Sequence, residues 1–238
     1  MGTINLLYKN EYAINDKIHI IIPTVGEILD NEDDYYTIVS ILTAMPIDFM
    51  VQLDDMGIDF TSINSYILFI IFFSTLQYMD TSLIFKDLDL SKFVLTESEQ
   101  NGNPILIDRE NDICIDRAIH GQIAATLRKI HHLKKDRRKP ANEEAKEYLL
   151  ERARKKMNRR KGKESFSQIE PLIVALVNTE QFKYNYEQTL GLSIYKFNES
   201  VYQIVKKIEY EHRMHGVYAG TVDPKGMDKD DLNWLVHK

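Results

Sequence analysis

The chain has 238 residues, 44% of them hydrophobic and 28% charged, with ten Gly and six Pro; this composition excludes wholesale disorder, collagen-like structure and a membrane-spanning bundle. A single cysteine, Cys114, excludes an intramolecular disulfide and any zinc site that needs two thiolates. The formal charge of −6 averages −15 over residues 1–116, +12 over 117–163 and −3 over 164–238, a segregation that suits either an internal acid–base contact or an exposed partner-binding surface.

The N-terminus has no basic start followed by an apolar run, so no signal peptide is expected, and with one cysteine the chain points to a reducing cytoplasm. Tyr12–Ile14 and Ile18–Ile22 are β-rich runs around the turn-forming Asn15-Asp16-Lys17, which predicts a hairpin. Thr24 and Glu27 have capping-box spacing for a short helix. Helical patterning follows near 34–44, 47–56 and 62–79, broken at Pro46 and near Gly57. The last of these contains the longest apolar run, Tyr66 to Phe73, far below the roughly 20 residues of a membrane span, and predicts a buried helix.

Phe93–Thr96 and Ile105–Ile107 flank Asn101-Gly102, a dipeptide suited to positive φ, and Ile113–Ile115 adds a third strand containing Cys114 as a small hydrophobe. Asp116 is placed to cap a helix with Ile119, Ile123, Leu127 and Ile130 on one face. Lys134–Pro140 reads as a polar basic connector. Asn142 then opens a helix with acids early and bases late, matching the helix dipole. Its narrow apolar stripe is Ala145, Tyr148, Leu149, Ala153 and Met157. Ser167 and Glu170 have capping-box spacing, and the apolar run Leu172–Val177 predicts a central helix. Ser193 opens a long amphipathic helix with Ile194, Phe197, Val201, Ile204 and Ile208 as its seam, stopped by Gly216 and Gly220. Asp223–Gly226 reads as a turn, and Asp228 with Asp231 caps a last short helix bearing Trp234. The fold class is therefore α+β and predominantly helical, with an N-terminal hairpin and a second small antiparallel element. Three regions are expected: an acidic one at 1–133, a basic connector and helix at 134–163, and a helical one at 164–238 that stands apart or packs with the first.

No phosphate-cradling glycine motif, H-E-x-x-H, calcium loop or G-x-S-x-G occurs. Glu209, Glu211, His212 and His215 form the nearest metal-like cluster, better read as a solvated helix end. Asp108, Glu110, Asp112 and Asp116 fall on a turn and a helix cap, and His120, His131 and His132 lack an evident nucleophile. No enzyme, cofactor or metal is expected. The bases from Arg128 to Lys163 suit phosphates or an acidic protein, with Tyr148 the one aromatic among residues 117–163.

Ile20–Ile28 (I-I-I-P-T-V-G-E-I), Met50–Ile58, Ala175–Phe182, Gly216–Asp223 and Leu232–Leu235 together resemble proteins of the tail-morphogenesis region of tailed bacteriophages of Gram-positive hosts, similar to tail assembly chaperones and small tail-module proteins. The resemblance implies a non-enzymatic role in the host cytoplasm or virion, as chaperone or as minor tail or baseplate component. The implied partners are other tail proteins, including the tape-measure protein, without a membrane. Partner contact is expected at Arg152, Arg154, Lys155, Lys156, Arg159 and Arg160, and at Ile194, Phe197, Val201, Ile204 and Ile208. The alternative is a phage nucleic-acid-binding protein using residues 128–163.

Overall fold

The computed structural model describes residues 6–99, 101–160, 162, 166–228 and 232–235, with the Arg160 side chain and Asp231 outside the described set. Strands β1 (Glu11–Ala13) and β2 (His19–Ile21) form the expected antiparallel hairpin, with Tyr12 opposite Ile20. Asn15 makes the turn, its Oδ1 accepting the backbone N–H of Lys17 at 2.9 Å and of Ile18 at 2.8 Å. The two-residue strand period turns Ile18, Ile20 and Ile22 inward, and all three are buried. Helix α1 (Val25–Leu29) carries the full Thr24–Glu27 capping box. Next come α2 (Glu32–Thr43), a 3-10 turn at Pro46–Phe49, and α3 (Met50–Asp55).

Helix α4 (Ser65–Gln77) is capped by Asn64 and is the central helix of the molecule. Tyr66, Leu68, Phe69, Phe73 and Leu76 are buried, and only Ser74 and Thr75 are exposed. Tyr66 also ties α4 to the second sheet, its hydroxyl donating to the carbonyls of Pro104 and Ile115. That sheet is antiparallel in the order β3 (Val94–Glu97), β4 (Pro104–Asp108), β5 (Ile113–Ile115). The β3–β4 pairing starts at Glu97 opposite Pro104, so the connection is wider than a two-residue turn. It is closed by Ser98 N–H donating to Asn103 O, and Gly102 supplies φ +66°.

Asp116 caps α5 (Arg117–Ile130). This helix lays His120, Ile123, Leu127 and Ile130 into the core against α2 and α4. The connector follows without regular structure, and then α6 (Glu143–Arg160), α7 (Glu170–Val177), α8 (Tyr186–Leu190) and α9 (Ile194–Tyr218) complete the order. The C-terminal helices share one core with residues 1–133: Ile169, Ile173, Leu176, Phe182, Ile194 and Phe197 join the same buried cluster as Ile20, Phe69 and Leu127. Backbone bonds reinforce that contact. Val25 N–H donates to Leu192 O at 2.9 Å, Ile194 N–H donates to Pro23 O at 2.8 Å, and Glu32 Oε1 accepts from Gln168 and Ile169 N–H.

Three expectations are corrected. Helix α7 is peripheral rather than central, because only Ile173 and Leu176 are buried, Val177 packs at the core's edge, and Leu172 and Val174 are exposed. Its N-terminal donors go to Ser167 and to Glu32 rather than to a reciprocal box, since no Glu170 side-chain bond closes back. Gly216 lies inside α9 and does not stop it. A Cβ there would stand 2.8 Å from Val222 Cγ2, so the glycine admits the returning chain, and Gly220 at φ +71° makes the stop.

Candidate functional site: a basic helix held by one face

Asn142 opens α6 as its sequence suggests, its Oδ1 accepting Ala145 N–H at 2.8 Å. The helix rests on α3 and on the loop after it. Leu150 packs with the satellite cluster of Leu53, Phe60 and Leu68, and two ion pairs fasten the same side. Arg154 Nη2 meets Asp54 and Asp55 at 2.6 Å each, and Lys146 Nζ meets Asp59 at 2.8 Å. The hydrogen bond from Lys146, followed by those from the Thr61 backbone and hydroxyl, brings the Asp59 carboxyl down to about 2. Arg154 and Lys146 thus spend their charge inside the molecule, on the acidic part of the chain.

The outward face differs. Tyr148 was expected in the buried stripe, but it is 62% exposed. At 100° per residue it falls on the line of Arg152, Lys156 and Arg159, spaced 4, 4 and 3, while the seated residues Leu150, Arg154 and Met157 occupy the opposite arc. Arg152, Lys156 and Arg159 are exposed, and their side chains make no hydrogen bond or ion pair with described residues. Lys155 beside them is paired with Glu151 at 2.5 Å. One aromatic and three exposed cations thus line a single helical ridge.

The α9 seam divides in two. Ile194 and Phe197 are completely buried, which removes them from any partner surface. Val201, Ile204 and Ile208 are half-buried, the first two against the core, and Val205 is 48% exposed.

The other titratable groups have structural partners. Asp108 accepts from the backbone of Glu110 and Asn111 and from the Asn111 side chain, Glu110 pairs with Lys92, Asp112 with Lys17, and Asp116 caps α5. His120 is buried and stacked on Phe69 at 4.5 Å between centroids; burial foremost, then the Arg128 charge, pushes it down to about 4. His131 Nε2 lies 2.9 Å from the Tyr35 hydroxyl and is likewise pushed down to about 4 by burial, then by His132. Both rings favour the neutral form, His120 within the core and His131 only partly buried. His132 faces Glu199 of α9 at 3.3 Å. Glu209 and Glu211 pair with Arg213 and Lys207, and among the described residues no three His, Cys, Asp or Glu side chains are grouped to hold a metal. Cys114 stands exposed on β5, its thiol raised by desolvation and by Asp116, which disfavours the thiolate nucleophile. No described helix is long and apolar enough to cross a membrane.

These features define a predominantly helical α+β protein whose distinctive surface is a helical ridge of one aromatic and three exposed bases. Residues 160–237 match the sequence model of a phage-derived family described as the YomV second domain. The match covers about the last third of the chain, α7 to the C-terminal turn, and fits a phage protein. Comparison with curated proteins and with solved structures returns no match.

Proposed function

We propose that this protein is a non-enzymatic component of phage tail morphogenesis, a tail assembly chaperone or a minor tail or baseplate protein, that works by binding other tail proteins such as the tape-measure protein. The observation that carries the reading is the α6 ridge of Tyr148, Arg152, Lys156 and Arg159, uncompensated while Lys146 and Arg154 on the opposite side are fully paired. A helix clamped by one face presents its free side chains in fixed geometry, which lowers the ordering cost of binding. The half-buried Val201, Ile204 and Ile208 of α9 offer a separate apolar contribution. The phage-derived match in residues 160–237 and the tail-protein resemblance of the sequence support the setting.

The test is a triple substitution, Arg152→Glu, Lys156→Glu and Arg159→Glu, assayed by pull-down of recombinant tape-measure and baseplate proteins. Arg154 is left intact because it seats the helix. Retention should fall by at least about tenfold with the melting temperature unchanged; undiminished retention would overturn the ridge as the binding surface. The exposed Tyr148 favours one second reading, a nucleic-acid backbone on the same ridge with a base on the ring. A steeply salt-dependent oligonucleotide shift, abolished by the triple substitution, would select it.

A further inference from the structure

A groove bounded by α2, α3 and α4 holds chemistry that the α6 ridge does not use, and no α6 residue lines it. The helix period sets its α2 wall: Asp33, Tyr36, Thr37, Ser40 and Ile41, spaced 3, 1, 3 and 1, fall on one face. Phe49 and Gln52, Phe72 and Thr75, and Gln168 from the segment leading into α7 supply the rest. The groove encloses about 540 Å³, within the roughly 300–1,000 Å³ of small-molecule sites. Its aromatic lining is fixed from behind. Phe49 and Phe72 lie 4.8 Å apart with planes tilted by 44°, and both pack against the main core and the satellite cluster at once. Tyr36 meets the buried Tyr35 edge-on at 5.4 Å. All three rings are half-buried, so each keeps part of its surface towards the groove.

The polar part of the lining is almost uncharged. Thr37, Ser40, Gln52, Thr75 and Gln168 are exposed, and their side chains make no hydrogen bond with described residues. The Tyr36 hydroxyl is raised to about 12 by burial, then by the Glu32 charge, so it stays a neutral donor. Among the described lining residues Asp33 alone carries a charge, in a chain of which 28% is charged. With no base in the lining an anion finds no partner there. Five neutral donor–acceptor groups against one carboxylate favour hydroxyls over a cation.

We propose that this groove binds a neutral oligosaccharide. A pyranose has an apolar C–H face, which the negative face of an aromatic ring attracts, and an edge of hydroxyls that both donate and accept. The Gln52 and Gln168 amides and the Thr37, Ser40 and Thr75 hydroxyls also do both, so adjacent sugar hydroxyls find partners in either sense. Rings already packed against the core add little ordering cost on binding. The experiment is calorimetric titration of the full chain with cellotetraose, maltotetraose, mannotetraose and chitotetraose. Gln52→Ala/Thr75→Ala is compared with Tyr218→Ala, which removes an exposed aromatic at the end of α9 outside the groove. At least one sugar should bind, about tenfold more weakly in the double variant, as two lost neutral hydrogen bonds require, and within about twofold of the unaltered chain in Tyr218→Ala. If the double variant changes the melting temperature, Tyr36→Phe decides instead: it keeps the ring and should weaken the same sugar by about threefold or more. Absence of binding by every sugar, equal loss in groove and control variants, or equally tight binding of choline or of a neutral Ser/Gln peptide would overturn the site. Every variant leaves the α6 ridge whole, so pull-down of tail proteins separates failure here from failure of the proposed function.

Discussion

His120 shows how far a single residue can depart from what its type suggests. In a histidine-bearing amphipathic helix the ring can face water, yet here it is buried against Phe69 and Tyr66, and its Nε2 has no hydrogen-bond partner. Its folded pKa of about 4 lies below the unfolded value near 6.5. Above pH 6.5 the ring is therefore neutral in both states and adds no pH dependence to stability. Between 6.5 and 4 the unfolded chain takes up a proton that the folded chain refuses, so stability falls with pH across that window, by roughly 3 kcal/mol for one such group. His131 adds a loss of the same sign. The melting temperature should drop as pH falls from 6.5 to 4, and His120→Phe should flatten the slope; equal slopes would refute the assignment. Gly216 makes a different single-residue prediction. Helix propensity favours Ala there by about 1 kcal/mol, but the added Cβ meets Val222 Cγ2. Gly216→Ala should therefore stabilise more in a Val222→Ala background than in the unaltered chain, as a double-mutant cycle in urea would show.

At the scale of elements, α6 is the informative case. Its charge order, acids first and bases last, and its Asn142 cap are legible in the sequence because both act within a few residues. Which bases are consumed internally is not legible, since Asp54, Asp55 and Asp59 are about a hundred residues away in the chain and meet α6 only through the packing of Leu150 on the Leu53 cluster. Arg154→Ala should loosen the seating, seen as faster amide exchange across residues 143–160 with little change in global melting temperature, because exposed pairs contribute little to stability. Raising salt should have the same effect. If exchange in α6 is unaltered by either, the pairs do not hold the helix. The α7 misreading has a related cause. An apolar run shows that a helix dislikes water but not how many neighbours it has, and α7 is covered on one side only.

For the whole molecule, one buried cluster joins the C-terminal helices to the first 133 residues. Phe197 and Ile194 of α9 lie in the same cluster as the β2 isoleucines and the α4 phenylalanines. Phe197→Ala should cost about 3–5 kcal/mol and lower the stability of the entire chain in a single transition, measurable by calorimetry. By the same argument, residues 160–238 produced alone should lack a cooperative melt, because Ile169, Ile173, Phe182 and Phe197 would lose the surface that covers them. A cooperative transition in that fragment would show that the matched segment folds unaided.

The sequence by itself determined what depends on neighbours within a turn or two. That covers the β1–β2 hairpin at Asn15, the capped starts of α1, α5, α6 and α9, the three-stranded second sheet, and the segregation of charge. Backbone geometry and periodicity act locally, so local residues record them. Only the tertiary structure decided that Ile194 and Phe197 are core rather than contact, that Tyr148 faces outward, and that Lys146 and Arg154 are neutralised while Arg152, Lys156 and Arg159 are not. Burial and charge compensation are properties of pairs brought together from distant parts of the chain, and no single stretch of sequence contains both partners.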